Sequence, residues 1–344
     1  MKRLNYSAYA VGALLSGILF STSCSHTAKA PKEQYSNTIT KAQGVLAGDI
    51  TGRYQSEVFS DFIKISNITY GENFNPTTGV YEPLKLRLFQ PKGDTNTKRP
   101  LVIITPGGGF VMHGDDWMEN FGERFARAGY VTAITRYRLS ESIDTPELYF
   151  NALFKSFSDQ KSAIRFFMHD AATANVYGVD TNNIFIGGHS AGAITSMHVA
   201  FLDATDTIPP VMRQAMEANG GITGNSGHPD YQMPIRGVIN LSGGVTHTSI
   251  FKPNGTALLS IHGDKDDIVP IGINEVRQFY GSAPIHKAAK KAGVDSTFYP
   301  IAGLSHNGTV YDDECTSCIP TIMDFIYQHL DTTTLQKNTL NNAQ

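Results

Sequence analysis

The chain has 344 residues, with 28 lysines and arginines against 31 aspartates and glutamates. Its formal net charge of −3 provides no basic field for a phosphate backbone, so we expect no nucleic-acid partner. Three cysteines are too few for a disulfide-dense scaffold, and no cysteine–histidine spacing matches a zinc site. The hydrophobic fraction of 41% is typical of a globular protein and excludes a disordered chain.

The N-terminus has the pattern of an export signal. Lys2 and Arg3 precede an almost unbroken apolar run over residues 8–20, which is too short to cross a membrane but has the length of a signal-peptide core. We therefore expect residues 1–23 to be a signal peptide and the protein to be periplasmic or extracellular. Cys24 stands where a lipoprotein leader carries its acylated cysteine, which would anchor the protein to the outer membrane. Cleavage after Ala30 is the alternative.

The rest of the chain divides into three parts. Residues 24–49 are polar and lack periodicity, so they are expected to be a flexible tether. Residues 50–332 are long enough for one folded domain, and residues 333–344 read as a disordered tail. Residues 203–234 interrupt the pattern of the domain with Pro209, Pro210 and a loop rich in glycine and asparagine, and we interpret them as a small lid-like insertion.

Strand-like and helix-like segments alternate through the domain. Residues 62–70 and 84–90 alternate apolar and polar side chains and predict an opening antiparallel pair, whereas residues 100–105 are apolar on both faces. This order predicts an α/β fold with a mostly parallel central sheet and helices on both faces, in which sites gather at the carboxyl ends of strands. The further predicted strands are 130–134, 184–187, 238–241, 258–261 and 297–301, and the predicted helices are 121–128, 150–174, 191–201, 284–292 and 319–329.

The strongest motif is Gly188-His189-Ser190-Ala191-Gly192, which has the form G-x-S-x-G between a predicted strand and a predicted helix. In that context a sharp turn projects the serine hydroxyl above the sheet, and the two glycines leave room for close packing around it. The helix N-terminus brings the Ala191 amide beside the reacting carbonyl. The pattern predicts that Ser190 is a nucleophile.

A serine nucleophile needs a base and an acid that orients the base. His306 lies in a glycine-flanked loop after a late predicted strand, and Asp266 follows an earlier one, which gives the chain order Ser, Asp, His. Asp267 is the next candidate for the acid, and Asp264 is expected to stiffen the turn. His262, at the end of a buried strand, is expected to be a hydrogen-bonded structural residue, and the side chain of His189 is expected to point away from the pocket.

Three consecutive glycines, residues 107–109, follow the buried strand that starts at Pro100. Glycines let the backbone approach a ligand and turn its amides toward it. With the Ala191 amide, the amides of Gly108 and Gly109 are the predicted donors to a tetrahedral oxyanion. A phosphate loop is the weaker interpretation, because the G-x-G-x-x-G spacing and a following lysine are both absent.

Taken together, residues 107–110 (GGGF), 137–139 (YRL), 187–192 (GGHSAG), 225–227 (NSG) and 262–266 (HGDKD) resemble the exported bacterial carboxylesterases of the α/β-hydrolase superfamily. The similarity is to the group with a triple-glycine oxyanion loop and covers about residues 58–330. One departure is Pro106, where many relatives carry a histidine that shapes the loop. The resemblance implies Ser190 as nucleophile, His306 as base, Asp266 as its orienting acid, and Gly108, Gly109 and Ala191 as oxyanion donors.

The resemblance implies a serine carboxylesterase that needs no cofactor or metal and acts on small or polysaccharide-linked esters through an acyl-enzyme. An exported serine peptidase of the same fold and a catalytically silent binding protein are the alternatives. Cys315 and Cys318 form a C-x-x-C pair that an oxidising compartment would convert to a disulfide. That disulfide would restrain the loop that carries His306.

Overall fold

The computed structural model describes residues 52–228, 231–275 and 279–331, which belong to one compact unit. The predicted signal peptide, the candidate lipidation site Cys24, the tether and the tail lie outside these residues. Within them, the helices are too short or too polar to span a membrane.

An eight-stranded sheet forms the centre of the domain. Its strands are β1 (Phe62–Asn75), β2 (Val80–Pro91), β3 (Arg99–Thr105), β4 (Val131–Thr135), β5 (Val179–His189), β6 (Ile235–Leu241), β7 (Ala257–Gly263) and, after two short strands, β10 (Ser296–Ile301). Their spatial order is β1-β2-β4-β3-β5-β6-β7-β10. β2 pairs antiparallel with β1 and β4, and all other pairs are parallel. The prediction of a mostly parallel sheet with an antiparallel opening pair is confirmed.

Alternate residues of the central strands face two separate hydrophobic cores. In β3, Leu101 and Ile103 belong to one core, and Val102 and Ile104 belong to the other. Because successive side chains of a strand point to opposite faces, a strand that is apolar throughout must be covered on both sides. The prediction of helices on both faces is confirmed.

Six α-helices of the described residues cover the two faces of the sheet. They are α1 (Glu119–Ala128), α2 (Pro146–Ala172), α3 (Ala191–Phe201), α4 (Pro210–Ala218), α5 (Ser282–Lys291) and α6 (Cys318–Gln328). Apolar residues of α1 and α6 form one core with the sheet, and those of α2, α3, α4 and α5 form the other. The helices and strands predicted from periodicity are all present, with ends that differ by a few residues.

The lid-like insertion packs against α2, a long helix with a buried polar face. The ammonium group of Lys161 donates to the carbonyl of Ile222, and the hydroxyl of Ser158 contacts the hydroxyl of Ser226 at 3.0 Å. The carboxylate of Asp159 accepts from the hydroxyl of Ser226 at 2.8 Å. These contacts fix residues 222–226 on the helix, and a role as lid stays a prediction.

The same carboxylate forms a buried ion pair. Nη2 of Arg138 lies 2.8 Å from Oδ1 of Asp159, and neither side chain is more than 2% exposed. The Arg138 amide also donates to Asp159 at 2.9 Å. A buried charge is tolerated only where a partner and hydrogen bonds satisfy it, and the carboxylate of Asp159 has both.

A second, two-stranded sheet was not predicted. β8 (Ile273–Asn274) and β9 (Phe279–Tyr280) pair antiparallel, and Val245 bridges to Tyr280. Strands of two residues are too short to show the alternation by which strands are recognised in a sequence. This pair of strands follows the loop that carries Asp266.

Candidate active site

Ser190 stands between the last residue of β5 and the first residue of α3. Its backbone has φ 52° and ψ −119°, a conformation that residues other than glycine seldom adopt. Its amide donates to the carbonyl of Leu241 in β6, and its carbonyl accepts from the amide of Ile194, both at 2.9 Å. The serine is thus fixed on a sharp turn at the carboxyl end of the sheet.

Two glycines allow β3 to approach this turn. A Cβ atom at Gly188 or at Gly192 would overlap the carbonyl oxygen of Thr105, the last residue of β3. The predicted need for glycine on either side of the serine is confirmed. A Cβ atom at Gly107 would lie 3.3 Å from the Cβ of Ser190, so the triple-glycine loop packs against the turn that carries Ser190.

Asp266 lies in the loop after β7, and its carboxylate is saturated by four donors. Oδ1 accepts from the amides of Ile268 at 3.0 Å and Val269 at 2.8 Å. Oδ2 accepts from Nδ1 of His306 at 2.7 Å and from Nε2 of His262 at 3.0 Å. The side chain has no solvent exposure, so these four groups replace water completely.

The four donors keep Asp266 ionised. Burial by itself raises the pKa of this carboxyl, because it disfavours the charged form. Hydrogen bonds from His262, His306 and the Val269 amide outweigh burial and hold the pKa well below its usual value. The carboxylate is therefore a fixed negative charge at neutral pH.

His306 follows β10 and precedes a 3-10 helix, Asn307–Val310. Because a carboxylate only accepts hydrogen bonds, the contact with Asp266 requires a proton on Nδ1 of His306. Neutral His306 then carries a lone pair on Nε2 and can accept a proton there. The side chain is 7% exposed, which leaves the ring close to the surface while its Nδ1 edge is buried.

The two neighbouring aspartates do not share this position. Asp267 is exposed, and Oδ1 of Asp264 accepts from the amide of Gly303 at 2.7 Å, which ties the turn after β7 to the turn after β10. The structure thus brings Asp266 to His306 and gives Asp264 the turn-stiffening contact that the sequence predicts.

Gly108 and Gly109 of the triple-glycine loop have positive φ angles of 115° and 59°, a conformation that favours glycine. The amides of Val111 and Met112 both donate to the carbonyl of Gly108 at 3.1 Å, which closes the loop on itself. The hydroxyl of Tyr137 donates to the carbonyl of Gly107 at 3.4 Å. The carbonyls of Gly107 and Gly108 are thereby paired within the protein.

The amides of Gly108 and Gly109 donate to no other group in the described part of the chain. Ala191 is the first residue of α3, where an amide has no partner inside its own helix. Backbone amides without partners beside a nucleophile can bind developing negative charge. The three residues that the sequence predicts as oxyanion donors are therefore equipped for that role.

Two histidines that the sequence assigns no role in the site contact the Asp266–His306 pair. Nε2 of His189 lies 3.0 Å from the carbonyl oxygen of His306, and Nε2 of His262 donates to Asp266. The expectation that His262 is a hydrogen-bonded residue at the end of a buried strand is confirmed, whereas His189, expected to point away from the pocket, contacts the loop that carries His306. The contacts depend on how distant loops meet, which a single sequence without pair information does not reveal.

Cys315 and Cys318 are joined by a disulfide bond between the 3-10 helix after His306 and the start of α6. Both residues are buried. A ring of this size closes little chain, so its main effect is local. The bond ties the segment after His306 to α6.

Among the described residues, no group of three or more histidine, cysteine, aspartate or glutamate side chains is arranged to hold a metal ion. The absence of a cofactor therefore stays a prediction for the chain as a whole.

The BD-FAE family model matches residues 86–250, slightly less than half of the chain, and this match contains Ser190 and the triple-glycine loop. A probable carboxylesterase 3 from Arabidopsis thaliana is 25% identical over 162 residues, which cover 46% of this chain and 48% of that protein. The match thus spans about half the length of that relative.

Solved esterase structures share the fold. A thermophilic esterase from Thermogutta terrifontis with butyrate bound superposes with a TM-score of 0.55 at 16% identity, over 76% of this chain and 94% of that one. A truncated carbohydrate esterase from gut microbiota gives a TM-score of 0.54 at 18% identity, over 78% of this chain and 96% of that one. The chain therefore has the α/β-hydrolase fold and is similar to carboxylesterases of that superfamily, as the sequence motifs predict.

Proposed function

We propose that the protein is a serine carboxylesterase that hydrolyses carboxylic esters through an acyl-enzyme. The observation that carries this proposal is the 2.7 Å contact between Nδ1 of His306 and the buried carboxylate of Asp266. The loop that carries His306 also contacts His189, which precedes Ser190 in its turn. The family match and the carboxylesterase and esterase similarities support the same chemistry.

In the first half of the reaction, Nε2 of His306 accepts the proton of the Ser190 hydroxyl as Oγ attacks the ester carbonyl. The carbonyl oxygen becomes an oxyanion that the amides of Gly108, Gly109 and Ala191 stabilise. The imidazolium then donates its proton to the leaving alcohol, and the acyl group stays on Ser190.

In the second half, water replaces the alcohol. His306 accepts a proton from a water molecule as the water oxygen attacks the acyl carbonyl. The His306 imidazolium then returns a proton to Oγ of Ser190, and the carboxylic acid leaves. Asp266 stays ionised throughout, and its charge stabilises the imidazolium in both halves. No group beyond the side chains and amides named is required for these proton transfers.

We propose short-chain acyl esters or carbohydrate esters as the substrate class. The support comes from the relatives, which include an esterase with butyrate bound and a carbohydrate esterase. Exposed apolar side chains on the loops of the site, Val111, Met112 and Ile268, offer contacts for a small acyl or alcohol group. A panel of p-nitrophenyl esters of increasing chain length, together with acetylated xylan, tests this choice.

Ser190→Ala tests the function itself. We expect this variant to fold and to lose p-nitrophenyl acetate hydrolysis by about 10⁴-fold or more, because no other nucleophile replaces the hydroxyl. A fluorophosphonate probe should label the wild type and not the variant. Ser242→Ala is the matched labelling control: Ser242 also has a positive φ of 51°, but it is fully buried with its hydroxyl 3.2 Å from that of Thr309.

The same experiments distinguish the esterase from the two alternatives, a serine peptidase and a catalytically silent binding protein. Labelled protein that cleaves peptides and spares esters would indicate the peptidase, and unlabelled, inactive wild-type protein would indicate a binding protein. Equal turnover by wild type and Ser190→Ala would refute the proposed nucleophile.

On the N-terminal sequence alone, we further propose that the protein is exported and lipid-anchored through Cys24. Palmitate labelling in a bacterial host should mark the wild type and not Cys24→Ala. Absence of label on the wild type would leave cleavage after Ala30 as the interpretation to test.

A further inference from the structure

A chain of buried hydrogen bonds leads from the sheet to the carboxylate of Asp266. Oδ1 of Asn240 accepts from the amide of Gly243 at 3.0 Å, which fixes the orientation of the Asn240 side-chain amide. Its Nδ2 group therefore donates to the hydroxyls of Ser260 and Ser282, both at 3.0 Å. All three polar side chains are fully buried.

The next link is His262. Its Nδ1 lies 2.7 Å from the hydroxyl oxygen of Ser282, and its Nε2 lies 3.0 Å from Oδ2 of Asp266 and 2.8 Å from the carbonyl oxygen of Val269. The ring has no solvent exposure. Every polar atom of His262 is thus paired inside the protein.

These contacts assign the proton on His262. Both neighbours of Nε2 are acceptors, so Nε2 carries a proton and donates it. The hydroxyl oxygen of Ser282 already accepts from Asn240, so its own proton is available to Nδ1 of His262. The network therefore places a proton on Nε2 of His262, directed at the same carboxylate oxygen that receives Nδ1–H of His306.

We propose that His262 is a positioning residue of the active site, which orients Asp266 and moderates the charge that Asp266 presents to His306. It shares Oδ2 with His306, so it draws electron density from the oxygen that stabilises the imidazolium. Without this donor, Oδ2 would interact with His306 alone and would stabilise the protonated ring more strongly. The Asp266 carboxylate would also lose the hydrogen bond from Nε2 of His262, a residue of β7, that helps to fix its orientation. This role rests on the proposed function.

The groups that face His306 are few in the described residues. The carboxylate of Asp266 approaches Nδ1, and the ring of His189 lies with its centre 4.7 Å from that of His306. His262 acts through Asp266 and does not touch His306 in the described structure. Burial keeps His189 neutral by lowering its pKa to about 4, so among the described residues Asp266 is the charged group in contact with the base.

The test compares two substitutions of His262 in the full-length protein. His262→Asn removes the donor at the position of Nε2, and His262→Gln keeps an amide donor near it. We expect His262→Asn to lower kcat/KM by about tenfold and to move the acidic limb of the pH profile of kcat/KM upward by about one pH unit. His262→Gln should restore most of the rate and return the limb toward the wild-type position.

Two further variants keep the proposal testable where His262→Asn fails to fold. Ser282→Ala leaves His262 in place and removes the proton donor to its Nδ1, and a smaller upward movement of the same limb is expected. His286→Gln, a half-buried histidine on the same helix as Ser282, should leave the profile unchanged.

The outcomes are distinct from those for the function itself. A wild type without Ser190-dependent hydrolysis would overturn the proposed function. An active wild type with folded His262→Asn and Ser282→Ala variants whose pH profiles match it would overturn only the role of His262. Equal rate losses in His262→Asn and His262→Gln without movement of the limb would show packing in place of positioning.

Discussion

Nε2 of His189 lies 3.0 Å from the carbonyl oxygen of His306, and the centres of the two imidazole rings are 4.7 Å apart. The residue before the nucleophile thus holds the loop that carries the base. A carbonyl oxygen only accepts hydrogen bonds, so Nε2 of His189 carries the proton and Nδ1 has a lone pair. That Nδ1 is buried and has no hydrogen-bond partner in the described structure. The residue between glycine and serine in this turn is therefore part of how the site is assembled.

Replacing His189 should loosen the base. His189→Phe keeps a ring against His306 and removes the donor, and we expect kcat to fall about tenfold as the His306 loop shifts from its productive position. His189→Gln, which keeps an amide donor, should lose less. The measurement is kcat on p-nitrophenyl acetate for both variants beside their circular dichroism spectra. A folded His189→Phe protein with wild-type kcat would contradict the assigned role.

Two adjacent aspartates give a matched pair. Asp266→Asn removes the charge that stabilises the His306 imidazolium and introduces an amide group that cannot accept from all four donors, so we expect kcat to fall by about 10³- to 10⁴-fold. Asp267→Asn changes an exposed side chain and should alter kcat less than about twofold. Steady-state kinetics on both variants check this assignment. A larger loss of kcat in Asp267→Asn than in Asp266→Asn would make Asp267 the acid that orients His306.

Gly108 is the position of the triple-glycine loop where a side chain is least tolerated. A Cβ there would overlap the carbonyl oxygen of Met112, and the backbone φ is 115°. Gly108→Ala should displace the oxyanion amides and lower kcat by about 10²-fold.

Gly79→Ala is the matched control for backbone strain. Gly79 lies between β1 and β2 with φ 74°, and nothing stands within 4 Å of an added Cβ. This control should cost about 1 kcal/mol of unfolding free energy at unchanged kcat. Equal kcat values for the alanine variants at Gly79 and Gly108 would argue against the oxyanion role.

The burial of His198 leads us to expect that the protein loses stability in acid. It is fully buried in α3, and burial lowers its pKa to about 4. The unfolded chain takes up this proton near pH 6.5 and the folded chain resists it, so stability is lost as the pH falls from about 6.5 to about 4. This one group accounts for about 3 kcal/mol between pH 7 and pH 4.

Urea unfolding of His198→Gln between pH 7 and pH 4 measures that contribution. The variant should show a shallower pH dependence than the wild type, whatever its stability at pH 7. The same change at His286, which is less deeply buried, should alter the slope much less. Parallel curves for wild type and His198→Gln would show that His198 does not titrate as described.

The sequence predicted those parts of the site that depend on local structure. Ser190 lies in a turn whose glycines and flanking strand and helix are all contiguous in the chain, and Asp266 and His306 follow strands with buried apolar runs. The parallel sheet was predictable for the same reason, because residues such as those of β3 are apolar on both faces.

The parts that escaped prediction depend on contacts between distant segments. His262 and Asn240 look like ordinary residues of buried strands, and only the packing of α5 beside β6 and β7 brings Ser282 between them. Polar residues inside α2, such as Asp159, weaken the apolar periodicity of that helix, and their partners come from Arg138 and from the insertion. The residue pattern of one sequence does not show which distant residues contact each other.

The most direct test of the proposed mechanism is to identify the residue that carries the acyl group. Wild-type protein mixed with p-nitrophenyl butyrate, quenched in acid within milliseconds and digested, should yield a peptide containing Ser190 that is heavier by one butyryl group, and Ser190→Ala should yield none. A butyryl group on a different residue, or release of p-nitrophenol by Ser190→Ala at the wild-type rate, would contradict it.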